Sequence, residues 1–145
     1  MLALVGFALL HCNGGASGGS GGSSCFDDAN GLGGGDYTFV LTVDDTGFSK
    51  QILQSENLAQ ITLTLTNMGT KPHGFEVECI PTSAPAGCPR TSCFPDGSTI
   101  APLAPGASTT VTFDTPSPEG IYTFKSSDPR DSAVSGLNDG QFILM

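Results

Sequence analysis

Residues Ile61-Thr62-Leu63-Thr64-Leu65-Thr66 alternate without a break between branched apolar side chains and threonine. A period of two marks a half-buried β-strand, because successive side chains leave opposite faces of the pleat. A helix would scatter the same residues around its circumference. The segment therefore commits the chain to a sheet, with Ile61, Leu63 and Leu65 on the core face. The period recurs in residues 36–43, which place Tyr37, Phe39, Leu41 and Val43 on one face. In residues 73–79 it sets His73, Phe75, Val77 and Cys79 against Glu76 and Glu78, so His73 points inward. Residues 48–54, 108–113, 121–124 and 141–145 complete the expected strands. Asp44-Asp45-Thr46-Gly47, Ser55-Glu56-Asn57, Pro105-Gly106 and Thr115-Pro116-Ser117-Pro118-Glu119-Gly120 have the composition of turns. About seven short strands with turns between them and no convincing helix predict an all-β fold, a Greek-key β-sandwich or barrel.

The first residues do not fit that pattern. Residues 1–10 (MLALVGFALL) are an apolar run too short to span a bilayer as a helix, and they match the hydrophobic heart of a secretory signal. A Leu-rich run ending just before Cys12 resembles the lipobox of bacterial lipoproteins. That resemblance implies lipidation at Cys12 and an exported chain held in the bacterial cell envelope, in the periplasm or on the outer membrane. The alternative is a plain secretory signal with an incidental cysteine. Residues 13–24 (NGGASGGSGGSS) have the composition of a flexible tether. The expected organisation is a signal segment over 1–12, a linker over 13–24 and one folded domain over 25–145.

Five Lys and Arg stand against 14 Asp and Glu, for a net charge of −9. Too few cations are present to displace phosphate counterions, which argues against nucleic acid as a partner. The same balance argues against anionic lipid, leaving the N-terminal lipid as the membrane contact. A protein partner remains open.

Apart from Cys12, the cysteines are Cys25, Cys79, Cys88 and Cys93. An even number in an exported chain is the pattern of two disulfides. A zinc site is the competing reading, but Cys88 and Cys93 lack the tight C-x-x-C knuckle and no His lies nearby. Three pairings are open, with a preference for a bond from Cys79 to Cys88 or Cys93. Such a bond would staple the Pro-rich loop over residues 81–97 and reduce its entropy in the unfolded chain.

Taken in order, Ile61 to Asn67, Gly69, and Pro72-His73-Gly74-Phe75 resemble the strand, loop and first copper-ligand His of the cupredoxin family. Leu103-Ala104-Pro105-Gly106, Val111-Thr112-Phe113 and Gly120-Ile121-Tyr122-Thr123-Phe124 resemble the family's run into its copper loop. The resemblance implies a cupredoxin-like fold. It also implies that the loop after Phe124 should supply Cys, His and Met, since a thiolate and two imidazoles with a weak thioether suit copper in both oxidation states. Aligned on Tyr122 and Phe124, those three positions read Ser126, Asp131 and Leu137, so of the four ligand positions only His73 keeps its family identity.

Two functions follow as expectations. The first is a non-enzymatic exported module in a binding or structural envelope role, with no cofactor, no type 1 copper site and His73 kept for packing. The second is a copper- or metal-binding or electron-transfer protein with an atypical site on His73 and Asp131. A nucleophilic triad of Ser126 or Ser127 with His73 and Asp128 or Asp131 is disfavoured, because no strand–turn–helix elbow presents the serine.

Overall fold

The computed structural model describes residues 34–78, 82, 94, 96–116 and 119–145. Its organising strand is β4 (Gln60–Asn67), where Ile61, Leu63 and Leu65 are fully enclosed as their alternation predicts. On one side β4 runs parallel to β1 (Asp36–Asp44), in register from Asp36–Gln60 to Val43–Asn67. On the other it runs antiparallel to β7 (Ser108–Asp114). With β2 (Gly47–Phe48) these strands form a four-stranded sheet in the order β2-β1-β4-β7. Across its outer face threonines meet in rows: Thr64 and Thr110 hydroxyls lie 2.8 Å apart, and Thr66 and Ser108 hydroxyls 2.9 Å.

The second sheet has the order β3-β9-β8-β5-β6. It comprises β3 (Ile52–Ser55), β9 (Gly140–Leu144), β8 (Gly120–Lys125), β5 (His73–Val77) and β6 (Ile100–Leu103). β9 pairs with β3 in parallel and with β8 antiparallel. The inner faces of the two sheets enclose one core. Phe48, Phe75 and Phe124 pack ring to ring at one end, with centroids 5.3–6.0 Å apart. At the other end Phe94 contacts Phe113, Tyr122 and Phe142. Each such side chain contributes roughly 1.5–3 kcal/mol by leaving water.

The architecture is all-β with two facing sheets, as expected, and among the described residues nine strands replace the predicted seven or so. One extra strand comes from residues 48–54, expected as one strand and found as parts of two. Phe48 ends β2 in the first sheet, Ser49-Lys50-Gln51 cross over, and Ile52 begins β3 in the second sheet. The turn expected at Ser55-Glu56-Asn57 is shifted onward, since Ser55 still belongs to β3 and Leu58 takes the left-handed conformation (φ 52°). The other extra strand is β6, at Ile100–Leu103 just before the Pro105-Gly106 turn, where no strand was expected. Gly106 adopts φ 79°, which suits glycine there. Three short 3-10 turns, at Asp96–Ser98, Pro129–Asp131 and Ser135–Leu137, complete the described structure. Cys12, Cys25, Cys79, Cys88 and Cys93 lie outside the described residues, as do the signal segment and linker.

Enclosed and outward positions should respond differently to substitution. Leu63→Ala is expected to lower the unfolding free energy by about 2–5 kcal/mol. Val40→Thr, on the outer threonine face, should stay within about 0.5 kcal/mol of the wild type. Urea unfolding of both variants checks the two-sided pattern.

Candidate functional site

At one end of the sandwich, three loops converge on the first residue of β5. The β1–β2 hairpin turns at Asp44-Asp45-Thr46-Gly47, where Asp44 Oδ1 accepts from the Thr46 and Gly47 amides at 2.8 and 3.1 Å. Because Asp44 closes the turn, Asp45 is left to reach across the molecule. Its carboxylate accepts from the Thr70 amide and hydroxyl and from the Lys71 amide. The 67–71 turn is pinned from below by Asn67, which is fully enclosed. Asn67 Nδ2 donates to the Lys71 and Leu103 carbonyls at 2.7 and 2.8 Å, and its Oδ1 accepts from the Gly69 amide.

The loop between β8 and β9 supplies the other wall. Ser126 N donates to the Leu137 carbonyl at 2.7 Å, which folds the loop back on itself. Asp128 caps the turn at Pro129–Asp131 by accepting from the Arg130 amide, and it also holds the Arg130 guanidinium. Asn138 Nδ2 closes the loop by donating to the Asp131 and Val134 carbonyls at 2.7 Å.

These supports place His73, only 1 % exposed, between two carboxylates. Its Nδ1 lies 2.8 Å from Asp131 Oδ2 and its Nε2 lies 2.9 Å from Asp45 Oδ1. The Ser126 hydroxyl donates to the same Asp131 oxygen at 2.5 Å and accepts from the Gly74 and Asp128 amides at 3.2 Å. Gly74 must be glycine here, because a Cβ would run into the Ser127 hydroxyl and the Ile100 carbonyl. A cleft of 410 Å³ opens above the cluster, lined by Asp45, Lys71, Pro72, Arg130 and Val134 with His73 and Asp131.

Burial alone would push the His73 ring toward its neutral form. The hydrogen bonds and charges of Asp131 and Asp45 overcome it, so the imidazolium persists above the ordinary 6.5. The Thr70 hydroxyl and His73 hold the Asp45 carboxyl well below the usual carboxylate range. The Arg130 side chain and amide pull Asp128 down to about 2.

His73, Ser126 and Asp131 thus form one hydrogen-bonded chain. Leu137 does not face it: its side chain is fully enclosed in the core, and only its carbonyl reaches Ser126. The disfavoured triad is not formed, since Ser126 donates to Asp131 and not to the imidazole. Asp45 was missed in the sequence, and the available signal was a turn with two adjacent acids, Asp44 and Asp45, where one suffices. Among the described residues no group of three or more His, Cys, Asp or Glu is arranged to hold a metal ion.

The His73 cluster sets a pH dependence. A raised imidazole pKa gives stability that is fully present below 6.5 and lost as pH rises through the folded-state value. The lowered carboxyls of Asp45 and Asp128 give stability present above 3.8 and lost as pH falls toward their folded values. The thermal midpoint should therefore decline on both sides, and His73→Gln should remove most of the alkaline limb. In Asp131→Asn the NMR titration midpoint of His73 should fall toward 6.5. An unchanged midpoint would mean that Asp131 does not hold the proton.

No protein-family model matches the sequence, and no curated protein matches it. Solved structures do. The chain is similar to Na-dithionite reduced auracyanin from the photosynthetic bacterium Roseiflexus castenholzii, with 23% identity, a TM-score of 0.55, and coverage of 74% of this chain and 96% of that one. It is also similar to auracyanin B, with 19% identity, a TM-score of 0.55, and coverage of 75% and 88%. A blue copper oxidase from Nitrosomonas europaea matches at 19% identity and a TM-score of 0.51, over 75% of this chain and 38% of the oxidase. At these identities the likeness is one of fold, and the chain has the cupredoxin-like fold that its sequence resembles.

Proposed function

We propose that this protein is a non-enzymatic binding module on a cupredoxin-like scaffold, without a type 1 copper centre. The observation that carries this reading is the occupancy of the imidazole. Both ring nitrogens of His73 face carboxylates within hydrogen-bond distance, so a protonated ring has no lone pair to offer a metal. The other family positions do not fit copper either. A Ser126 hydroxyl cannot act as a soft thiolate, and Leu137 has no donor atom. Ser126 donates to Asp131 and both His73 nitrogens face carboxylates, so the described residues hold no Ser–His pair of the kind used in nucleophilic catalysis.

The proposal extends to location. The lipobox-like end at Cys12 and the Gly/Ser tether favour export to the bacterial cell envelope with a lipid anchor. Among the described residues no helix is long and apolar enough to cross a membrane.

Copper titration of purified protein tests the reading. The wild type should stay colourless and show no saturable copper(II) binding by calorimetry. The triple variant Ser126→Cys, Asp131→His, Leu137→Met should gain the intense visible band of a copper–thiolate bond. A blue wild type would overturn the proposal. Saturable binding abolished by His73→Ala would instead establish the atypical metal site on His73 and Asp131.

A further inference from the structure

Resting on this metal-free reading, the cleft above His73 has a chemistry of its own. Its 410 Å³ lies within the roughly 300–1,000 Å³ of small-molecule sites. In a chain with 14 acids and five bases, its lining holds two carboxylates, Asp45 and Asp131, against three cationic side chains, His73, Lys71 and Arg130. The carboxylates already serve His73 and take both of its N–H groups, whereas Lys71 and Arg130 have capacity left. Lys71 makes no ion pair with any described residue. The Arg130 guanidinium uses Nε and one terminal nitrogen on Asp128, leaving three of its five N–H groups.

The floor adds a second kind of group. Asp131 is only 5 % exposed, and both of its side-chain hydrogen bonds to described residues fall on Oδ2. Its Oδ1 accepts none from them, and among the described residues no fully enclosed side-chain polar atom lacks a partner. Asp131 lines the cleft, and its Oδ1 is engaged by no described side chain or amide, which leaves an acceptor at the floor. Pro72 and Val134 supply apolar wall beside it.

We propose that the cleft binds a small carboxylate that also carries an O–H or N–H donor, the hydroxy-acid and amino-acid class. The carboxylate lies toward Lys71 and Arg130, the donor bonds to Asp131 Oδ1, and a short apolar substituent packs on Pro72 and Val134. A bare carboxylate satisfies the cations and leaves Asp131 Oδ1 without its donor. A large ligand exceeds the volume.

Titrating the intact protein with L-lactate, L-alanine and propionate, by calorimetry and by the amide shifts of Lys71 and Val134, tests this. Lactate or alanine should bind saturably, and which of the two binds identifies the source. Propionate should bind at least about tenfold more weakly, the loss expected for one charge-assisted hydrogen bond. Lys71→Gln and Arg130→Gln should each weaken binding about tenfold or more for the same reason. Lys50→Gln, away from the cleft, should change nothing. Absence of saturable binding, propionate equal to the donor-bearing acids, or full affinity in Lys71→Gln would each overturn the proposal. The copper titration separates the two readings: a colourless wild type that binds none of the acids sinks only this inference, whereas a blue wild type sinks the metal-free module beneath it.

Discussion

An imidazolium removed from water must find partners for both N–H groups, or give up its proton. At His73 both partners are carboxylates, and each arrives on a different piece of chain. Asp45 comes from the β1–β2 hairpin and Asp131 from the β8–β9 loop, while His73 itself opens β5. One side chain thereby fixes the mutual placement of elements from both sheets. Enclosed ion pairs contribute little net stability over a well-packed apolar alternative, because desolvation offsets most of the attraction. Their effect here is positional. Removing one carboxylate leaves one imidazolium N–H without its partner and takes away one of the contacts that register the loop that carried it.

The same economy of contacts gives the β8–β9 loop its defined shape. Ser126 and Leu137 are joined through the backbone, Asp128 caps the intervening turn, and Asn138 holds the carbonyls of Asp131 and Val134. Leu137 drives its side chain into the core, so one end of the loop is tied by burial and the other by hydrogen bonds. Polar contacts and one enclosed leucine together order the loop. The cleft above it is a by-product of that same geometry.

Much of the scaffold was legible because its signals are local. The alternation at 61–66 and the turn chemistry at Asp44–Gly47 and Pro105-Gly106 depend on neighbours in sequence. The division of residues 48–54 was not legible, since nothing local tells Ser49-Lys50-Gln51 to cross between sheets. That choice belongs to β9, which supplies the partner for β3 from 89 positions along the chain, as the pairing of Ile52 with Gln141 shows. The site divides in the same way. Ser126, Asp131 and His73 were found by aligning the chain to a family pattern, and they do meet. Asp45 belongs to no such pattern, and its role appears only when the hairpin is set beside the 67–71 turn.

The position of β9 has a further consequence, for the order in which the molecule can form. Residues 140–144 do not lie at a margin; they fill the slot between β3 and β8. Until they are in place, two strands carry unsatisfied backbone edges and the aromatic end of the core lacks Phe142. A nascent chain must therefore wait for its 140–144 segment before the second sheet closes. During that interval its edges are open to any passing strand, and a chaperone that shields sheet edges would find its work concentrated there.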